Sequence, residues 1–165
     1  MGTENSSKIE IIWDAPEIDK KIKELAANIA VNWTNADTVN LVPIMTGAIC
    51  FGSKLLNYLE SFTPGKWVVN PVLASAYSDD FDPSEPEIVT SRNFEKRMEM
   101  GLPTIILDDL IDTGVTLIKL KNKILKLTNG PVEIAVLVDK KFRRQIDLDA
   151  NYSCFTLMDD KWLVG

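Results

Sequence analysis

The sequence predicts an α/β fold, a mainly parallel sheet flanked by helices. Three observations carry that prediction. Strand-like apolar runs alternate with helical repeats along the chain, the pattern of a sheet with helices on both faces. Ile105, Ile106 and Leu107 form a continuous apolar run without alternation, as expected of a central strand covered on both sides. At 165 residues, with 45% hydrophobic and 25% charged residues, the chain fits one ordinary globular domain able to bury a core.

The elements follow in order. Residues 1–8 are polar and predicted to be mobile. Ile18, Ile22, Leu25 and Ile29 recur at helical spacing and mark a first amphipathic helix. A strand over 38–45 precedes a helix over 48–60 that carries Phe51, Leu55 and Leu59. Lys66 to Tyr77 and Glu87 to Arg92 read as extended segments bracketing the polar, proline-containing stretch Ser78 to Ser84. From Thr104 a strand runs into Asp108 and Asp109, and a helix starting near Thr116 carries Leu117, Leu120, Ile124 and Leu127. A strand from Val132 to Asp139 and an extended stretch near Tyr152 to Met158 complete the chain, which has no internal repeat.

The segment from Thr104 to Leu117 holds the chemistry. Chemistry in an open parallel sheet sits at the carboxyl ends of the strands. The helix opening near Thr116 directs its free N–H groups back at Asp112, Thr113 and Gly114, and such a terminus attracts anions. Gly114 permits a tight turn, and the Thr113 and Thr116 hydroxyls can donate to phosphate oxygens. Asp108 and Asp109 would repel a phosphate standing alone. They fit one whose ligand also brings ribose hydroxyls or Mg²⁺, an ion that favours one or two carboxylates plus substrate phosphates. A phosphorylated sugar satisfies both demands, whereas a lone Asp-Thr-Gly triplet is equally a turn with a helix cap.

In full, the strand, twin carboxylates, Asp112-Thr113-Gly114-Val115 and Thr116 resemble the diphosphoribosyl-binding signature of type I phosphoribosyltransferases, and further segments resemble their hypoxanthine-guanine branch. Leu41 to Ala48 lies where the family's pyrophosphate loop lies, with Thr46 and Gly47 at its turn. Its backbone N–H groups suit a leaving pyrophosphate. Ser75-Ala76-Tyr77 and the following polar stretch resemble the family's mobile catalytic loop, a lid that closes over the site. Val138 to Arg144 and Asp160 to Gly165 resemble the base-recognising elements. The resemblance gives Lys140 the purine 6-oxygen, Trp162 the stacking contact and Leu163 a place beside it. By default Lys140 in so charged a run is a solvated lysine, and Tyr77 and Trp162 are equally core residues.

The resemblance implies a small hood built from the N-terminal segment and roughly residues 140–165. It also implies transfer of a 5-phosphoribosyl group from phosphoribosyl diphosphate to hypoxanthine or guanine, giving IMP or GMP and pyrophosphate. Asp112 takes the place of the family aspartate that faces purine N7 and handles its proton, which makes it the expected catalytic residue. Asp108 and Asp109 become the expected ribose and Mg²⁺ ligands. A homodimer or homotetramer is expected, as is common in the family. Two other readings share these motifs: a xanthine-preferring phosphoribosyltransferase, and a non-catalytic nucleotide-sensing regulator.

The chain also departs from the family pattern. Thr46 stands where a lysine or arginine is common, in a loop that often holds a non-proline cis bond. Ala76 replaces a serine before Tyr77. The sequence given stops at Gly165, before the Gly-Tyr-x-x-Asp-Tyr segment and downstream arginine of many relatives, so the expectation is either that other residues hold pyrophosphate and a second metal or that this is a reduced version with altered kinetics.

Composition narrows the function further. A net charge of -6 argues against nucleic-acid partners, and the one basic cluster, Lys140, Lys141, Arg143 and Arg144, is too small to reverse it. With no secretory h-region and no membrane-length apolar run, a cytoplasmic protein without a membrane partner is expected. Cys50 and Cys154 are too few for a disulfide framework, and the absence of histidine leaves proton transfer to Asp, Glu, Lys or Tyr.

Overall fold

A computed structural model describes residues 10–75, 86–161 and 163. The segments read as mobile, residues 1–8 and the stretch 78–84 with Tyr77, lie outside the described residues, as does Trp162.

Helix α1 (Ala15–Asn32) begins at Asp14, whose side chain accepts from the Glu17 N–H at 2.8 Å, and it buries Ile22, Leu25 and Ile29 as their spacing predicts. Strand β1 (Val39–Met45) leads into α2 (Ala48–Phe62), then β2 (Trp67–Val69) and β3 (Val72–Ser75). Strand β4 (Glu87–Val89) precedes α3 (Phe94–Met98), then β5 (Thr104–Ile111), α4 (Val115–Leu125), β6 (Val132–Lys140) and β7 (Tyr152–Leu157). The seven strands form one sheet in the order β4-β3-β1-β5-β6-β7, with β2 also paired to β1. Every pairing is parallel except that of β3 with β4.

Pro43 lies in the middle of this sheet, a place proline ordinarily avoids. The Val39 N–H bonds toward β2 and the Asn40 N–H toward the β5 side, so by alternation position 43 faces the β2–β3 side. There the neighbouring strand is interrupted at Asn70 and Pro71, so the missing donor breaks no ladder bond.

The helices cover both faces. On one, α1 and α2 pack Ile22, Ile29, Phe51, Leu55 and Leu59 against Leu41, Ile105 and Leu107. On the other, Phe94 and Met98 of α3 and Leu117, Leu120 and Ile124 of α4 pack against Val42, Ile106, Ile134 and Val136. Trp13 stacks on Phe155 of β7 with ring centroids 4.2 Å apart. Among the described residues no helix is long and apolar enough to cross a membrane.

Three details differ from the sequence reading. Helix α3 occupies the region after Glu87 to Arg92 and was not anticipated, because five residues are too short to display a helical period. The stretch from Lys66 is two strands rather than one extended segment. Strand β5 continues through Asp108 and Asp109 to Ile111, since its ladder with β6 persists to the Ile111–Asp139 pair. The two carboxylates therefore stand on a strand rather than beyond its end.

Candidate active site

Three parallel strands, β1, β5 and β6, deliver their carboxyl ends side by side, and each leads into one of the expected segments. The turn from β5 into α4 lines a cavity. Gly114 takes φ +87°, a left-handed conformation that costs glycine little, and α4 starts immediately after it. No side chain caps this terminus in the usual way, although Thr113 Oγ1 lies 3.5 Å from the Val115 N–H. Its first turn therefore presents backbone donors and a partial positive charge. Asp108, Leu110, Asp112, Thr113, Gly114 and Thr116 line a cavity here of about 140 Å³, large enough for a phosphate-sized group rather than a whole nucleotide.

Asp108 is half-buried and Asp109 exposed, with the Asp109 N–H donating to Asp108 Oδ1 at 3.0 Å. Burial, and then the Asp109 charge, push the Asp108 carboxyl well above the ordinary carboxylate range. A crowded carboxylate pair of this kind is relieved by a cation. Among the described residues no group of three or more potential His, Cys, Asp or Glu ligands occurs. Two carboxylates suit Mg²⁺, which keeps waters and takes substrate phosphates as its remaining ligands.

The β1 turn meets this pair directly. The Met45–Thr46 peptide is cis, Thr46 and Gly47 are exposed, and α2 begins at Ala48. A Cβ placed on Gly47 would lie 2.8 Å from Asp109 Oδ1. Any side chain at this position would push that carboxylate aside.

The end of β6 supplies the cations. Lys140, by default a surface lysine, is 3% exposed, and its Nζ lies 3.5 Å from Asp160 Oδ1. Arg144, which the sequence reading named only within the basic cluster and the Val138 to Arg144 segment, has a structural task of its own. Its Nε donates to the Asp112 carbonyl at 3.2 Å, its Nη2 donates to the Lys140 carbonyl at 3.2 Å, and its guanidinium also pairs with Asp139 and reaches the Leu148 carbonyl. With the Gln145 N–H donating to the Thr113 carbonyl at 3.1 Å, it ties the Asp112 loop to the end of β6. The available clue was four cations within five residues of an acidic chain, at a strand end rather than on a helix face.

Asp112 itself is half-buried. Its Oδ2 lies 3.7 Å from Arg143, and its buried Oδ1 has no hydrogen-bond partner among the described residues. A buried carboxylate oxygen left without a partner is an unmet hydrogen-bonding capacity beside this cavity. The structure thus brings Thr46, Gly47, Asp108, Asp109, Asp112, Thr113, Gly114, Val115, Thr116 and Lys140 to the carboxyl ends of adjacent strands. Ser75 ends β3, next to β1, and Leu163 is half-buried near the chain end.

The chain is similar to known proteins in sequence and fold. The sequence profile of the phosphoribosyl transferase domain matches residues 8–165. The chain is 26% identical over 158 residues to the hypoxanthine-guanine phosphoribosyltransferase of Aquifex aeolicus, covering 96% of this chain and 85% of that protein. It is 24% identical over 156 residues to the hypoxanthine-guanine-xanthine phosphoribosyltransferase of Tritrichomonas foetus, covering 94% and 80%. In fold it is similar to the hypoxanthine phosphoribosyl transferase of Trypanosoma cruzi, with a TM-score of 0.79 at 21% identity over 91% of this chain and 78% of that one.

Proposed function

The chain belongs to the phosphoribosyl transferase family, and we propose that within it this protein transfers a 5-phosphoribosyl group from 5-phospho-α-D-ribosyl 1-diphosphate to N9 of hypoxanthine or guanine. The bond from C1′ to the diphosphate oxygen breaks, a bond from C1′ to N9 forms, and the purine loses its N–H proton. The products are pyrophosphate and IMP or GMP, the outcome of purine salvage. One observation carries this reading: an uncapped helix terminus, a carboxylate pair and a buried lysine meet at the carboxyl ends of two adjacent strands, β5 and β6.

Each group has a task. The α4 terminus with Thr113, Gly114, Val115 and Thr116 holds the 5-phosphate. Asp108 and Asp109 hold the ribose hydroxyls and are the residues that would hold Mg²⁺. Bound there, the ion would neutralise charge on the departing diphosphate. Backbone groups at Thr46 and Gly47 receive that diphosphate, and Ser75 and Tyr77 belong to the lid. Asp112 accepts the proton that leaves the purine as N9 bonds to the sugar. Lys140 donates to the 6-oxygen, and Trp162 and Leu163 enclose the base in a hood formed with the N-terminal segment. Acceleration comes mainly from positioning and from charge stabilisation of an oxocarbenium-like sugar. In this reading the enzyme is cytoplasmic and works as a homodimer or homotetramer.

Release of pyrophosphate, measured in parallel with hypoxanthine, guanine, xanthine, adenine, uracil and orotate, tests the proposal. Turnover should be confined to the 6-oxopurines. Turnover with xanthine far above the other two assigns the chain to the xanthine-preferring reading instead. No turnover with any base, together with retention of bulk RNA in a filter assay, assigns it to a nucleotide-sensing regulator.

A further inference from the structure

Arg143, half exposed in the segment after β6, has no task in the reaction as set out above. Its Nη1 lies 3.7 Å from Asp112 Oδ2, and its Nε lies 3.7 Å from Asp160 Oδ1. The same Asp160 oxygen takes the buried Lys140. Charges of alternating sign, Lys140, Asp160, Arg143 and Asp112, therefore run from the end of the base strand to the phosphate loop.

The two neighbouring arginines divide the work on Asp112. Arg144 holds its backbone carbonyl, while Arg143 engages only its side chain and only one of the two carboxylate oxygens. The other oxygen, Oδ1, is buried without a hydrogen-bond partner among the described residues. Rotation of a carboxylate about its last torsion is broad and nearly two-fold, so nothing intrinsic to Asp112 decides which oxygen is free. The Arg143 guanidinium, always charged, biases that torsion through its ion pair with Oδ2.

Building on the transfer reaction proposed above, we infer that Arg143 is a positioning residue. By pairing with Oδ2 it fixes the orientation of the Asp112 carboxylate that takes the purine proton, and Asp160 anchors it there. A partly exposed ion pair at such distances contributes little to stability, so a merely structural Arg143 would be nearly silent.

The test is a set of single-turnover rates with hypoxanthine for the wild type, Arg143→Met, Arg143→Lys, Asp112→Asn and the Arg143→Met/Asp112→Asn double variant, with GMP affinity and melting temperature measured on each. Arg143→Met should slow the transfer by about fivefold or more while GMP affinity and melting stay near wild type. Arg143→Lys should recover part of the rate, and the double variant should be no slower than Asp112→Asn alone. If Arg143→Met folds poorly, Arg143→Gln carries the same expectations. A wild-type rate in these variants, or the same fold loss in the Asp112→Asn background, overturns the inference and leaves the transfer reading standing. A wild-type chain that forms no nucleotide removes both.

Discussion

At the residue scale, Asp112 and Gly47 make opposite demands on their side chains. In the proposed transfer Asp112 needs charge and proton affinity, and asparagine matches its size while supplying neither. Asp112→Asn should lower the single-turnover rate by about 10²-fold or more, the scale of a lost proton-transfer group, without moving the melting temperature. Gly47 needs the absence of a side chain. Its backbone is ordinary right-handed helix, so alanine is conformationally acceptable, but the new Cβ would meet Asp109 Oδ1 at 2.8 Å. Gly47→Ala should therefore displace that carboxylate rather than unfold the protein. Calorimetry with phosphoribosyl diphosphate and Mg²⁺ should show about tenfold weaker binding, equivalent to ~1.4 kcal/mol of overpacking. Much of this was legible beforehand, because Asp108, Asp109 and Asp112 through Thr116 are contiguous and their order is specific. The contact of Gly47 with Asp109 and the grip of Arg144 on Asp112 were not, since both join residues far apart in the chain whose approach only the sheet order dictates.

At the element scale, the long helices and central strands were readable because each repeats its period several times. Ile18 through Ile29 and Leu117 through Ile124 are of this kind, and their buried faces are those the spacing marks, with Ile18 only partly buried. Short elements gave no such repetition. Helix α3 shows only Phe94 and Met98, one turn apart, yet both are almost wholly buried beneath the sheet. Phe94→Ala should cost about 3–5 kcal/mol in denaturant unfolding, a cavity effect. Strand β7 offers a gentler probe. Burial pushes the Cys154 thiol up to about 12, with Lys21 opposing the shift and Glu24 adding to it, whereas Cys50 at the start of α2 is exposed. At neutral pH a maleimide should label Cys50 in the folded protein and reach Cys154 only on unfolding, as counted by mass spectrometry. Rapid double labelling in native buffer would contradict the packing of β7 against α1.

At the scale of the whole molecule, sheet order is what makes a site from scattered motifs. With β1, β5 and β6 adjacent and parallel, their carboxyl ends place the glycine turn, the carboxylate pair and the cations together. The alternation of elements announced such a sheet; the position of Lys140 inside it was beyond composition, because a buried lysine and a solvated one look alike in a charged run. The central claim is that this end of the sheet joins a phosphoribosyl group to a 6-oxopurine. The most direct measurement follows the chain with phosphoribosyl diphosphate, Mg²⁺ and hypoxanthine or guanine, quantifying nucleotide by chromatography and pyrophosphate enzymatically in the same samples. The account predicts that IMP or GMP and pyrophosphate appear together in equal amounts, and that neither forms without the base. Pyrophosphate released without nucleotide, or nucleotide formed from uracil or adenine but not from either 6-oxopurine, would contradict it.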